Sequence, residues 1–174
     1  SVVNALSILL EVWVYKDGKT YYQSYSRGGK SSELQIIEDT EKSGTRIRFK
    51  PDTDILTTDE FDYDTLNRRL RELAFLNKGI RIVLEDERTD QKEDFCYQGG
   101  IAEFVEYLNR RHTPVHEPIF VEGEKNDIQV ELAIQYNDTY NEKLFSFANN
   151  INTIEGGFHL IGFKTGLTRT LNQY

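Results

Sequence analysis

The strongest constraint on the fold is the dipeptide Asp17-Gly18, because it separates two segments that alternate in polarity as β-strands do. Apolar residues occupy every second position over 10–14, and a second strand pattern covers 19–25. Asp-Gly readily adopts the left-handed conformations of a two-residue hairpin loop. We therefore predict an antiparallel hairpin near the start of the chain.

Two further strands are predicted at 34–38 and 44–49, after a turn at Gly28-Gly29. An antiparallel meander is the simplest arrangement for all four strands. The segment 1–7, which precedes them, has the pattern of a helix but lacks a capping residue. We therefore expect the chain to begin inside a longer protein.

The segment that follows these strands predicts a helix with one apolar face, formed by Leu66, Leu70, Leu73 and Leu76. Asp62 or Asp64 can cap its first turn. Gly79 ends it, as glycines often do at the C-terminal end of a helix.

Paired strands are predicted next, at 80–84 and 95–97, and a second helix follows Gly99-Gly100 and ends near 110–112. This helix has Ile101, Phe104, Val105 and Leu108 on one face.

The segment 113–118 holds two of the three prolines and is the predicted linker. Beyond it we predict a strand at 128–136, a partner strand at 144–151, and a final helix after Gly156-Gly157. The predicted fold class is α+β, divided at the linker into two unequal pieces.

The charge balance limits the function classes. The chain has 29 Asp and Glu residues against 21 Lys and Arg residues, a net charge of −8. Phosphate contacts need clustered Lys and Arg, so only a local basic patch is compatible with nucleic-acid binding. Lys164 and Arg169 lie about 140° apart around the last predicted helix and could face a polyanion, although such pairs are usually solvated.

Composition also bears on the membrane and on the redox compartment. No apolar run approaches the ~20 residues that a membrane-spanning helix needs, so no membrane partner is expected. Cys96 is the only cysteine, which excludes an internal disulfide and agrees with a reducing cytoplasm. The strand pattern around Cys96 indicates a small buried side chain.

These residue patterns do not by themselves indicate an active site. His112 and His116 are separated by Pro114, which prevents a shared helical face, and His159 completes no recognisable ligand spacing. No metal site is therefore predicted. The Gly-Gly pairs before the last two helices lack the Lys-Ser/Thr continuation of a phosphate loop and are interpreted as turns.

Four segments of the sequence together resemble a known protein family, although no single residue discussed above indicates one. They are Ser1-Val2-Val3-Asn4-Ala5-Leu6-Ser7; Arg71-Glu72-Leu73-Ala74-Phe75-Leu76-Asn77-Lys78-Gly79; Gly99-Gly100-Ile101 with Phe104-Val105-Glu106-Tyr107-Leu108-Asn109; and Gln135-Tyr136-Asn137-Asp138 with Phe147-Ala148-Asn149-Asn150-Ile151-Asn152-Thr153 and Glu155-Gly156-Gly157. Together and in this order, they resemble the ATPase-bearing subunits of bacterial type II DNA topoisomerases, and the gyrase branch most closely. The resemblance covers essentially the whole chain and implies an internal piece of such a protein.

The resemblance implies a two-part α+β fold. Residues 1–112 are expected to be the C-terminal part of an ATPase domain of the gyrase, Hsp90, histidine-kinase and MutL (GHKL) type. Residues 113–174 are expected to begin a transducer domain that resembles domain 2 of ribosomal protein S5.

The resemblance also implies roles for individual residues. Ser1 would end the phosphate loop, Thr45 would join a hydrogen-bond network around adenine, and Ile47 would line the adenine pocket. Lys16 stands where many gyrases have an Arg that contacts coumarin drugs. Lys164 matches a basic residue on the inner wall of a DNA cavity, and Phe158 replaces the usual Thr without an explanation.

No catalytic residue is expected within the chain. In the family, the general-base Glu, the Mg²⁺-binding Asn and the adenine-binding Asp precede the part that matches Ser1. The Lys that reaches the γ-phosphate follows the part that matches Tyr174. The cofactors of the longer enzyme would be ATP and Mg²⁺, with no complete site for either in these 174 residues.

In the family, ATP closes two copies of this ATPase-bearing protein around double-stranded DNA. This closure drives strand passage, and with it negative supercoiling, in a cytoplasmic heterotetramer with the A subunit of gyrase. Two alternatives remain open. One is the E subunit of topoisomerase IV, a decatenating enzyme that shares the quoted motifs. The other, for this chain by itself, is a non-catalytic module that joins a nucleotide pocket to a dimer interface.

Overall fold

The computed structural model describes residues 2–174, and these residues form two compact units that divide between Phe61 and Asp62. The first unit contains one short helix and five strands. Their bounds are α1 (Val2–Ala5), β1 (Ser7–Lys16), β2 (Lys19–Ser26), β3 (Gly29–Lys30), β4 (Gln35–Asp39) and β5 (Gly44–Pro51). The four strands predicted in this part of the chain are confirmed, and β3 is an additional short strand. The helix predicted over 1–7 is confirmed only for Val2–Ala5, because Ser7 already begins β1, and Ser1 lies outside the described residues.

The predicted hairpin is confirmed as β1 and β2, joined by a two-residue loop. Lys16 pairs with Lys19, and the two loop residues both have positive φ, 53° at Asp17 and 76° at Gly18. This is the conformation that Asp-Gly tolerates best, so the dipeptide sets the register of the hairpin.

The predicted meander is wrong, because β5 does not pair with its sequence neighbour β4. The sheet order is β3-β2-β1-β5, and β4 pairs with β2 on the side where β3 also lies. The chain therefore crosses back after β4 and adds β5 to the free edge of β1. This leaves β1, the longest strand, in the centre of the sheet with both of its edges paired.

Strand alternation gives this sheet two different faces, because successive side chains point to opposite sides. The register brings Val12, Val14, Tyr21, Ile47 and Phe49 onto one side, which we name the apolar face.

The opposite side of the sheet carries polar and aromatic contacts. Tyr22 donates a hydrogen bond of 3.0 Å to Glu11 Oε1, and the Arg46 guanidinium lies 5.0 Å from the centre of the Trp13 ring.

In the first unit, a buried carboxylate pairs with an arginine, and backbone hydrogen bonds of the same two residues connect them to the start of the unit. Arg27 Nε lies 2.7 Å from Oδ2 of Asp52, and Asp52 is 1% exposed. The backbone N–H of Asp52 donates to Leu6 O (2.9 Å), and that of Arg27 donates to Ser7 O (2.8 Å). Asp52 and a second carboxylate, Asp54, raise the pKa of Arg27, with the hydrogen bond to Asp54 as the larger cause.

The second unit contains three helices and six strands. Their bounds are α2 (Tyr63–Leu76), β6 (Arg81–Asp86), β7 (Gln91–Cys96), α3 (Gly100–Asn109), β8 (Ile119–Lys125), β9 (Ile128–Ile134), β10 (Phe147–Ala148), β11 (Ile151–Asn152) and α4 (Phe158–Gln173). The helices predicted after Asp62, Gly99-Gly100 and Gly156-Gly157 are all confirmed. No helix among residues 2–174 is long and apolar enough to cross a membrane.

Asp62, rather than Asp64, caps α2. The backbone N–H of Thr65 donates a 2.8 Å hydrogen bond to Asp62 Oδ1, and hydrogen bonds from Thr65 hold the pKa of this carboxyl below its ordinary value. At the other end of the helix, the Asn77 side chain donates to Leu73 O (2.7 Å), and Gly79 follows with a φ of 77°.

The core of the second unit is an aromatic cluster centred on Phe75. The Phe75 ring stacks on Tyr97 with 3.6 Å between ring centres and on Phe104 with 5.0 Å. The Arg71 guanidinium donates a 2.8 Å hydrogen bond to the Tyr107 hydroxyl beside it. Ala74 and Phe75 are the most buried residues of α2, whereas Leu73 of the predicted apolar face is exposed.

The predicted partner of β9 is wrong. Its partner is β8, and the two strands are joined by Asn126-Asp127, which have positive φ values of 53° and 61°. The alternation of β8 is broken by Gly123 and by charged neighbours, so its sequence carried no clear strand signal. The segment 144–151 instead contains the two-residue strand β10, which pairs with β11.

The prediction that Cys96 is buried is also wrong. The pairing of the two strands predicted around it is confirmed, with Cys96 opposite Arg81 and Phe95 opposite Ile82. Phe95, the neighbouring residue, is the one turned into the core, and Cys96 points outward and is exposed. The strand is present as predicted, but the side chain that it turns inward is Phe95 and not Cys96.

The Phe75→Ala variant is expected to destabilise the protein by about 3–5 kcal/mol, because truncating a buried aromatic ring leaves a cavity. Phe75 is 1% exposed. Phe158→Ala is the matched control, because this ring is 94% exposed, and we expect it to stay within about 0.5 kcal/mol of wild type. Denaturant unfolding of the two variants measures both values. Equal losses for the two would contradict the assignment of Phe75 to the core.

Candidate functional site

Three of the predicted site residues lie on one face of the first unit. Thr45 is opposite Val14, and Ile47 is opposite Val12, in the pairing of β5 with β1. Lys16 follows Val14 by two positions and ends β1. Directly paired residues project to the same side of a sheet, so Thr45, Ile47 and Lys16 all belong to the side that carries the apolar face. Ser1 lies outside the described residues.

The chemistry of this surface is suited to binding. Ile47 is 59% exposed and Phe49 is 43% exposed, so the apolar face presents branched and aromatic carbon to its surroundings. Thr45 adds a hydroxyl that can donate and accept. An apolar wall with a few polar groups is the usual form of a site for a flat organic ring.

The cationic edge of this surface is set by the hairpin. Lys16 is paired with Lys19 directly before and after the two-residue loop, and Lys19 is in turn opposite Asp39 of β4. Both lysines are exposed. The Asp17-Gly18 loop therefore fixes where two positive charges stand relative to Val14 and Thr45.

Lys164 lies in the second unit, on α4. Its Nζ lies 3.3 Å from Oε1 of Glu142, and both side chains are more than half exposed. An exposed ion pair of this kind contributes about 0–1 kcal/mol, so Glu142 offers Lys164 only a weak alternative to another anion.

The histidines have structural contacts. Tyr136 N–H donates to Nε2 of His116 (3.1 Å), and Nδ1 of His116 lies 2.5 Å from Glu117 O. His159 Nε2 lies 3.1 Å from Thr153 Oγ1. Within residues 2–174, no group of three or more His, Cys, Asp or Glu side chains converges on a position that could hold a metal ion.

The second unit contains a cleft of about 490 Å³ that the sequence patterns do not predict. It lies between the end of α3 and the segment 112–117, and Gln135 borders it. Asn109 Nδ2 donates to Gln135 Oε1 (2.8 Å), and Asn137 Nδ2 donates to Asn109 Oδ1 (2.9 Å). The available signal was Asn109 itself, an amide side chain at the end of an otherwise apolar helix face.

Comparison with known proteins identifies the relatives of this chain. A sequence model of the family described as DNA gyrase B matches residues 100–174. The DNA gyrase B subunit of Halalkalibacterium halodurans is 58% identical over 177 aligned residues, which cover 100% of this chain and 28% of the relative. The gyrase B subunit of Bacillus mycoides is 54% identical and that of Archaeoglobus fulgidus 50%, again over 100% of this chain. The chain spans 28% to 44% of the length of these relatives.

Solved structures agree with the sequence relatives. The 43K ATPase domain of Thermus thermophilus gyrase B, solved in complex with an aminocoumarin, has a TM-score of 0.87 at 35% identity, and the match covers 99% of this chain and 48% of that one. The gyrase B-subunit of Myxococcus xanthus has a TM-score of 0.88 at 27% identity, covering 98% of this chain and 51% of that one. The mixed α/β fold is thus that of a gyrase ATPase fragment, and the chain belongs to the DNA gyrase B family.

Proposed function

We propose that this chain is a segment of the ATPase-bearing subunit of DNA gyrase, in which ATP binding and hydrolysis are coupled to dimer closure and to passage of DNA. The product of that activity is negative supercoiling. The observation that carries the proposal is the 58% identity to a DNA gyrase B subunit over the full length of the chain. The relatives at 50% to 58% identity described above all have the same name, which favours gyrase over topoisomerase IV.

The division of labour within the chain is part of the proposal. Residues 1–112 complete a GHKL-type ATPase domain, and residues 113–174 begin the transducer domain. The family match to residues 100–174 supports a distinct C-terminal part. Because the general base and the γ-phosphate-binding Lys are expected elsewhere in the longer protein, this chain supplies binding and coupling and does not hydrolyse ATP by itself.

The nucleotide would contact the apolar face of the first unit. Ile47, with its exposed branched side chain, packs against the adenine ring. The Thr45 hydroxyl joins the polar network at the ring edge. Ser1 ends the loop that binds the phosphates. ATP supplies the transferable phosphate and Mg²⁺ neutralises its charge, and the residues that hold the metal belong to the rest of the longer protein.

DNA and protein partners are proposed on the same basis. Lys164 faces a cavity that encloses a double-stranded DNA segment between two copies of the longer protein. Because the chain has a net charge of −8, its contacts with DNA phosphates would be confined to local groups of basic residues. The A subunit of gyrase completes a heterotetramer, and the enzyme works in the cytoplasm without a membrane partner. For this chain by itself, the second candidate function is a non-catalytic coupling module.

The full-length protein that carries this segment, in complex with the A subunit of gyrase, is expected to introduce negative supercoils into relaxed circular plasmid only when ATP and Mg²⁺ are present. Gel electrophoresis of the plasmid measures the product. Separation of linked DNA circles without supercoiling would instead indicate topoisomerase IV. Loss of both activities in a folded, assembled enzyme would overturn the proposal.

The Thr45→Val variant of the full-length protein is expected to bind ATP roughly two- to tenfold more weakly, because the change removes one hydroxyl and keeps the volume of the side chain. Thr45→Ser is the matched control, since it retains the hydroxyl and should stay close to wild type. Equilibrium titration with a non-hydrolysable ATP analogue measures the two affinities. Equal binding by the Val variant would remove Thr45 from the site.

The Lys16→Arg variant is expected to bind the coumarin novobiocin about tenfold more tightly, because a planar guanidinium offers a fork of donors that an ammonium group lacks. The ATPase domain of Thermus thermophilus gyrase B, to which this chain is similar, was solved in complex with an aminocoumarin. Lys42→Arg serves as the control, since Lys42 lies over Tyr15, on the opposite side of the sheet from the apolar face. Isothermal titration in which Lys16→Arg brings no gain would refute the assignment.

A further inference from the structure

A small hairpin in the second unit has contacts that the proposed function leaves unused. Strands β10 and β11 pair through Phe147 with Asn152 and Ala148 with Ile151, which leaves Asn149-Asn150 as a two-residue loop. Both loop residues have left-handed backbone conformations, with φ values of 48° and 65°. Asparagine tolerates these conformations, so the loop forms a tight turn of defined geometry.

Two amide groups of this hairpin bind α2. Asn150 Nδ2 donates a 2.9 Å hydrogen bond to Asn77 Oδ1, and Asn152 Nδ2 donates a 3.2 Å hydrogen bond to Glu72 Oε1. The two acceptors lie five positions apart, at the C-terminal end of α2 and just beyond it. Contact at two separated points fixes the orientation of the hairpin along this end of the helix, which a single hydrogen bond would not do.

Both acceptors are also held in place by hydrogen bonds that do not involve the hairpin. Arg69 Nη1 donates to Glu72 Oε2 (2.9 Å), so this oxygen is occupied and Oε1 is left for Asn152. Asn77 Nδ2 donates to Leu73 O (2.7 Å), which orients its amide with the oxygen toward Asn150. Preorganised acceptors lose little conformational freedom on binding and favour one geometry.

The base of the hairpin contacts α4. The backbone N–H and the hydroxyl of Thr153 both donate to Ser146 O, at 2.8 and 2.9 Å. Thr153 Oγ1 also lies 3.1 Å from Nε2 of His159, the second residue of α4. The helix that carries Lys164 is therefore joined to α2 through one short, hydrogen-bonded segment.

We propose that the hairpin 146–153, which we name the asparagine hairpin, couples α2 to α4, with Asn150 and Asn152 as positioning residues and Glu72 and Asn77 as their acceptors. A displacement of α2 is transmitted through the two amide contacts to the first turn of α4, and so to the position of Lys164. This inference rests on the proposed function, in which Lys164 of α4 faces DNA.

The backbone conformation of Asn150 allows this role to be separated from that of the turn. Glycine populates positive φ at least as readily as asparagine, so Asn150→Gly retains the tight turn and deletes only the amide that reaches Asn77. Asn149→Gly makes the same change one residue earlier. Among the hydrogen bonds of residues 2–174, the Asn149 side chain makes none to α2, so this variant is the matched control.

The test uses the full-length protein in complex with the A subunit of gyrase and compares ATP consumption with supercoiling in the same reaction. For Asn150→Gly we expect an ATP hydrolysis rate near wild type and about a twofold to fivefold fall in the supercoils introduced per ATP. Asn152→Ala should act in the same direction, and Asn149→Gly should match wild type.

Several outcomes would overturn the inference. An unchanged ratio for both Asn150→Gly and Asn152→Ala would show that the contacts do not couple the helices. A proportional fall in hydrolysis and supercoiling would show a merely structural role, and so would an equal effect of Asn149→Gly. Failure of the proposed function is distinguishable, because the wild-type enzyme would then lack ATP-dependent supercoiling.

Discussion

The stack of Phe75 between Tyr97 and Phe104 is the interaction on which the second unit depends. It fastens α2 to the segment after β7 and to α3, and these are the elements that surround the core. Glu72 precedes Phe75 by three residues and Asn77 follows it by two, so the position of both hairpin acceptors is set by the same buried ring. The two hydrogen bonds to the hairpin have a definite direction because the buried Phe75 ring determines which face of α2 is turned toward the core.

The proposed binding surface of the first unit depends on the central position of one strand. Because β1 is paired on both edges, the alternation of its side chains determines which side chains of β2 and β5 lie on each face of the sheet. A slip of one residue in the pairing with β5 would carry Thr45 and Ile47 to the opposite side and would bring Arg46 and Arg48 of the same strand onto the apolar face. The arrangement of a hydroxyl, an apolar wall and a cationic edge is therefore a consequence of register, and the Asp17-Gly18 loop is the local element that sets register on the other edge of β1.

Local chemistry made much of this structure predictable. The two-residue turn at Asp17-Gly18, the cap at Asp62 and the helices α2, α3 and α4 follow from neighbours within a few positions in the sequence. The errors were of a different kind. The pairing of β5 with β1 and of β9 with β8 depends on which strand edge is free, and the exposure of Cys96 depends on which phase of an alternating strand meets the core. The asparagine hairpin was recognised only as a family motif, because its contacts join residues 73 and 80 positions apart. The assignment of Thr45 and Ile47 to a nucleotide site, and of Lys16 to a coumarin contact, came from the resemblance, since their residue types alone specify no ligand.

The crossing of the chain between β4 and β5 also bears on the order in which the first unit assembles. The pairing of β1 with β2 closes a loop of two residues, whereas the pairing of Tyr15 with Gly44 must bring together positions 29 residues apart. Closing the longer loop costs more chain entropy, and contacts distant in sequence slow folding. The hairpin can therefore form while β5 is still unpaired, and the strand that bears Thr45 and Ile47 joins a template that already has its twist and register. During synthesis the ribosome releases β1 and β2 first, so the proposed binding surface is completed only when β5 joins the hairpin that has already formed.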